Sequence, residues 1–189
     1  MRVVKADDDI IRELEHNKIS KEMIHFFKTS KWLILADLEN EIIGAAGIGG
    51  SFNVAGVEAK KEYQGKGLGV LLQKNMIEEA KQKGYSYITG LIDVKNNESI
   101  KLHKKLGFKT MFQINYAENI TQNIVILILK PRGKIMESFL KTFNTKIGMI
   151  ILAYLLKTLK SFFPRLVNLN EKELPNPSIN YIIKNFKKI

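Results

Sequence analysis

Apolar residues recur along this chain in two rhythms, one suited to helices and one to strands. Val3 and Val4 open a short first strand over 1–6. Asp7–Asp9 then form an acidic cap region for a helix over about 8–16, with Ile10, Ile11 and Leu14 on one face. Ser20 suits the cap of a second helix carrying Met23, Ile24, Phe26 and Phe27. His25, set among them, reads as a structural residue. Trp32–Ala36 and Ile42–Ile48 are apolar runs on either side of the polar turn Asp37-Leu38-Glu39-Asn40, the pattern of a hairpin. Residues 52–59 form the next strand. Val70, Leu71, Leu72, Met76, Ile77 and Ala80 then mark a helix stopped by Gly84. Residues 85–94 return to strand. Asn96 and Asn97 begin a helix with apolar Ile100, Leu102 and Leu106, ended by Gly107. Strands are expected at 108–116 and 123–130. The order is strand, two helices, three strands, helix, strand, helix, two strands. It predicts an α/β (α+β mixed) domain, with a central mixed, mostly antiparallel sheet flanked by helices, rather than a doubly wound sheet.

A different pattern starts after Pro131-Arg132-Gly133, where a boundary between residues 1–131 and 132–189 is placed. Residues 134–163 read as one long helix, with Met136, Leu140, Phe143, Ile147, Ile150 and Tyr154 on one face. Ile147–Leu156 is an unbroken apolar run between Lys146 and Lys157. It is shorter than the roughly 20 residues that span a bilayer. Pro164 ends the pattern, and a shorter basic and apolar segment closes the chain at 180–189.

Charge sharpens that division. The chain has 189 residues and a net charge of +11. Residues 131–189 hold 11 Lys/Arg against 3 Asp/Glu, a net of +8; residues 1–130 hold the other 19 and 16, a net of +3. Hydrophobic residues make up 45% and charged residues 26%, a globular balance. There is no cysteine, which excludes disulfides, thiolate metal sites and a cysteine nucleophile. The start lacks an apolar core of signal-peptide length, so a cytoplasmic location is expected.

The candidate chemistry lies where a strand meets a helix. Gly65, Gly67 and Gly69 stand at alternate positions around Lys66 and Leu68, directly before the helical pattern. Glycines there let backbone N–H groups approach a ligand, and the helix start favours an anion. A Walker loop is excluded because no Gly-x-x-x-x-Gly-Lys-Ser/Thr run occurs. A dinucleotide fingerprint fails because the required third glycine would fall on Val70 or Leu72. Two readings of the loop itself stand: a phosphate cradle, or a glycine-rich turn with no ligand.

Gln64-x-x-Gly67-x-Gly69 resembles the Arg/Gln-x-x-Gly-x-Gly/Ala loop of the GNAT superfamily of acyl-CoA-dependent N-acyltransferases. A second segment strengthens the resemblance: Asn96, Ser99, Leu102, Gly107 and Phe108 match that family's later motif. The likeness covers roughly residues 1–130. It implies acetyl-CoA as the acyl donor, an amine as the acceptor and no metal. It also implies that Gln64, Gly65, Lys66, Gly67, Leu68 and Gly69 hold the CoA pyrophosphate. Backbone N–H groups near Val57 and Ala59 would serve the acyl arm and the oxyanion, and Asn96 would bond the CoA arm or cap its helix. His103 stands where the family often has the tyrosine assigned as the acid for the departing thiolate. It is either that acid or an exposed helix residue whose pKa Lys104 and Lys105 depress. Glu58 is the candidate base, or a solvated strand carboxylate; Asp93 is a weaker candidate.

The resemblance stops before residues 132–189. That extension either packs on the domain or makes a homodimer, or it lies on a membrane surface with Lys141, Lys157 and Lys160 toward anionic lipid. Nucleic acid is disfavoured as a partner, because the lysines are scattered and no binding motif accompanies them. The functional expectation is an N-acetyltransferase; the alternative is a non-catalytic acyl-CoA-binding or membrane-surface protein that keeps the fold.

Overall fold

A computed structural model of the protein describes residues 1–49, 52–117, 120–162 and 179–189. The chain divides into two compact units, Met1–Ile88 and Thr89–Ile189. Among the described residues, seven strands and the helices that flank them follow the order expected from the apolar pattern.

The first unit holds β1 (Arg2–Lys5), α1 (Asp8–His16), α2 (Lys21–Thr29), β2 (Ser30–Leu38), β3 (Glu41–Gly49), β4 (Val54–Ala59), one 3-10 turn (Lys61–Tyr63) and α3 (Leu68–Gln82). β1 through β4 pair antiparallel in sequence order. Both faces of β2 and β3 are covered along most of their length, which explains their continuous apolar runs. Leu33, Leu35, Ile42 and Ala45 pack with Ile11, Leu14, Ile24 and Phe27 of the first two helices. Fully buried Ile34 alternates to the other face, where α3 lies with Leu72, Met76 and Ala80 buried. Each buried Leu, Ile, Met or Phe among them contributes about 1.5–3 kcal/mol.

Local signals set the ends of these elements. Asp7 accepts the Ile10 N–H at 3.0 Å and Ser20 the Met23 N–H at 3.3 Å, so both expected caps form. The β2–β3 turn is tighter than expected. β2 runs on to Leu38, and Glu39 and Asn40 alone turn the chain at φ +49° and +65°. Two left-handed residues match the twist of a two-residue hairpin. The next strand starts at Val54 rather than 52, after Asn53 at φ +50°.

β5 (Tyr87–Asp93) crosses the boundary between the units. The second unit continues with α4 (Asn97–Lys105), β6 (Lys109–Ala117), β7 (Ile120–Ile128), α5 (Gly133–Thr142), α6 (Lys146–Phe162) and α7 (Ile179–Lys184). The strand order is β5-β7-β6, with β6 and β7 antiparallel. α5 packs on β6 and β7, and α7 on α6 and β6.

The single helix expected over 134–163 is two helices. Phe143–Thr145 breaks it, and Thr145 starts α6 by accepting the Gly148 N–H at 3.0 Å. The Thr142 and Thr145 hydroxyls donate to the Phe139 and Thr142 carbonyls, and this local competition for the backbone outweighs the continuing apolar spacing. The break rotates the pattern. Leu140 and Phe143 are buried, whereas Ile147 and Tyr154, expected on the same face, are exposed.

Candidate active site

The glycine stretch forms a left-handed turn into α3. Gly65 has φ +74° and Gly67 φ +84°, and Gly67 is the N-cap residue. Left-handed backbone at both positions strains any other residue type. The first intrahelical bond runs from Leu71 N–H to Gly67 O at 3.1 Å. Leu68, Gly69 and Val70 therefore precede the ladder, and their N–H groups point out of the helix start. No side chain caps them, and no acidic residue lies in the first turn.

The space in front of the turn is open. A Cβ built on Gly65, Gly67 or Gly69 meets nothing within 4 Å. At Gly69, already helical, the missing side chain therefore leaves room outside the fold rather than inside it. Gln64 braces the turn by donating from Nε2 to the Ala59 carbonyl at 2.9 Å. Lys66 holds its ammonium 5.5 Å from the Tyr63 ring centre. The cradle thus offers N–H groups, a helix start and a cation, which suit a pyrophosphate.

β4 contributes its backbone through register. Lys60 N–H donates to Ile43 O at 3.0 Å, and Ala59 lies opposite Gly44, Glu58 opposite Ala45. N–H direction alternates along a strand, so Glu58 points its N–H at β3. Val57 and Ala59 point theirs to the other edge of β4, as an acyl arm laid along that edge requires.

The Glu58 side chain takes the face toward α2. Ser20 donates to it twice, from Oγ at 2.7 Å and from N–H at 3.2 Å. The open alternative is corrected: this is not a loose solvated carboxylate but the partner of a helix cap. Gly56, on the same face, makes the approach of α2 feasible, since a Cβ there would lie 2.6 Å from Phe26. Nothing in the sequence connected Ser20 to Glu58, 38 positions away.

In the second unit, Asn96 caps α4 by accepting the Ser99 N–H at 3.0 Å. Gly107, at φ +88°, closes that helix: Phe108 N–H reaches His103 O at 3.0 Å and Gly107 N–H reaches Lys104 O at 3.1 Å. Asp93 is spent on the turn before it, accepting the Lys95 N–H at 2.7 Å.

His103 is half-buried, unlike exposed Lys104 and Lys105. This corrects the reading of it as an exposed helix residue. Its Nδ1 lies 2.8 Å from Ser99 O and 3.2 Å from Ser99 Oγ. A carbonyl only accepts, so Nδ1 carries the proton and Nε2 is bare in the neutral ring. The ring stands edge-on to Phe108 at 4.9 Å. Nε2 points toward Gly90 of β5, 4.0 Å from where a Cβ would sit. Burial pushes the His103 pKa down, and the Ser99 hydrogen bond only partly offsets it. The neighbouring lysines are not the cause.

The mixed sheet with a glycine cradle at a helix start defines a class, the acyl-CoA-dependent acyltransferase fold. A model of the acetyltransferase (GNAT) family matches residues 5–108, and the chain belongs to that family. Two L-methionine sulfoximine/L-methionine sulfone acetyltransferases, from Pseudomonas aeruginosa and Pseudomonas paraeruginosa, are each 32% identical over 90 residues, 43% of this chain and 52% of theirs. The chain thus spans about half the length of the curated relatives it matches. Among solved structures, the ribosomal-protein-S18-alanine N-acetyltransferase of Escherichia coli superposes with a TM-score of 0.56 at 14% identity, over 68% of this chain and 94% of that one. A Salmonella typhimurium protein solved with its cofactor acetyl-CoA gives 0.53 at 21% identity, over 69% and 94%. At such identities the shared property is the fold.

Proposed function

We propose that this chain transfers an acetyl group from acetyl-CoA to an amine acceptor. The observation that carries this reading is the open turn at Gly65–Gly69, where three N–H groups precede the helix ladder and no side chain fills the space before them. Acetyl-CoA, when bound, supplies a thioester carbonyl that a neutral amine attacks. The turn and Lys66 hold its pyrophosphate. Val57 and Ala59 N–H groups align the acyl arm and donate to the carbonyl oxygen as charge develops there. Asn96 keeps α4 capped and His103 in place. His103, as imidazolium, gives its proton to the departing thiolate, and Glu58, held by Ser20, takes the proton from the amine.

The activity of the two Pseudomonas relatives supports a small amine bearing a carboxylate as the acceptor to try first. Free CoA release should be assayed with L-methionine sulfoximine, L-methionine sulfone and a panel of other amines. Gly69→Glu is the sharpest test of the donor site, because position 69 has helical backbone and open space. The variant should melt like the parent without ligand, yet lose the stabilisation that acetyl-CoA confers on the parent. Stabilisation that survives in Gly69→Glu would refute the assignment of the turn.

A further inference from the structure

We propose that the outward face of α6 docks this protein on an anionic lipid surface. One side of α6 is buried through Met149 and Ala153, each 1% exposed, and α7 packs against this helix. The opposite side should be polar in a helix facing water. It is not: Ile147, Ile151 and Tyr154, spaced four and three apart, are 73%, 51% and 56% exposed. Ile135 and Phe139 form a second exposed pair on α5, at 75% and 45%.

Charge selects the occupant. Lys134 and Lys146 are exposed beside these residues in the chain. Asn144, in the break before α6, donates from Nδ2 to Ile189 O at 2.6 Å and accepts the Ile189 N–H at 3.0 Å. That pair pins Ile189 at the start of α6, bringing exposed Lys187 and Lys188 to the same end of the helix as Lys146. The positive end of the helix dipole adds to them rather than offsetting them. Glu137, the sole acidic residue between positions 131 and 170, is already engaged by Lys109 at 3.2 Å and Lys141 at 3.0 Å. An apolar face with a basic end suits anionic headgroups above acyl chains. A second copy would bring like charge against like. No helix among the described residues is long and apolar enough to cross a membrane, so the helix lies on the surface.

The test uses the full chain and sedimentation with two kinds of vesicle, phosphatidylcholine alone and phosphatidylcholine mixed with phosphatidylglycerol. Binding is expected to the mixed vesicles only, and to weaken in high salt. The Ile147→Glu/Ile151→Glu double variant changes only exposed positions and should bind the mixed vesicles about tenfold more weakly. Its circular-dichroism melt without ligand should match the parent's, showing an intact fold. Equal binding by the double variant, or no binding by the parent, overturns the proposal. So does a concentration-dependent dimer that the double variant abolishes while the parent ignores vesicles, which would give the face to a second copy. None of these outcomes bears on acetyl transfer.

Discussion

At the scale of single residues, His103 shows how environment decides a role. Neutral imidazole with its proton on Nδ1 has nothing to give from Nε2, so proton donation requires the imidazolium. Its lowered pKa means that this form fades below the ordinary value of about 6.5. The turnover rate should therefore fall as pH rises through that lowered pKa. His103→Phe should lower it by about 10²-fold or more at the acidic end. His103→Tyr, whose phenol keeps its proton to about pH 10, should move the falling limb upward. A pH–rate profile identical in parent and His103→Phe would remove His103 from the chemistry. Stability has the opposite pH dependence. Below about 6.5 the unfolded ring binds more protons than the folded one, so the His103 contribution is present above 6.5 and declines as pH falls through the folded pKa. Motif spacing located this residue from the sequence. Its burial was not legible there, because it arises from where the ring lies, edge-on to Phe108 and toward Gly90 of β5; its tautomer follows from the Ser99 carbonyl one turn back in the same helix.

At the scale of elements, the Ser20–Glu58 contact joins the start of α2 to β4. Ser20→Ala removes both the helix cap and a hydrogen bond to the carboxylate, and should cost about 1 kcal/mol of stability. Glu58→Gln retains an acceptor for Ser20, so it separates scaffold from chemistry. A base role predicts that kcat falls while the melting temperature and the acceptor KM hold; an unchanged kcat leaves Glu58 as a cap partner alone. The α5–α6 corner offers another test. A Cβ on Gly148 would lie 1.9 Å from the Thr142 carbonyl oxygen, a backbone atom with little room to move. Gly148→Ala should destabilise by about 1–3 kcal/mol, read as a lower urea midpoint, with acetyl-CoA binding retained. The corner escaped the sequence pattern because apolar spacing continues straight through Phe143–Thr145 and only the local hydrogen bonds end the helix.

At the scale of the whole molecule, the +11 charge sets how a polyanionic donor meets the protein. Most of the excess lies after residue 130, and the field of exposed charges is screened by salt. The KM for acetyl-CoA should rise with ionic strength while kcat stays nearly level. A salt-independent KM would mean that the turn and Lys66 alone capture the donor. Vesicle binding should be salt-sensitive too, yet for a different set of lysines.

The element order, the helix caps and the glycine turn were all determined by the sequence, because each depends on residues a few positions apart. Cap geometry, left-handed glycines and apolar rhythm act within one or two turns of chain, and the family likeness of residues 5–108 rests on such local motifs. Tertiary structure decided the rest. It placed Ser20 on Glu58, half-buried His103, and turned the Val57 and Ala59 N–H groups away from β3. It also joined Asn144 at the α5–α6 corner to Ile189, 45 positions away, and left Ile147 and Tyr154 exposed. Each of these depends on strand register or on packing between distant segments, for which no single stretch of the chain carries the information.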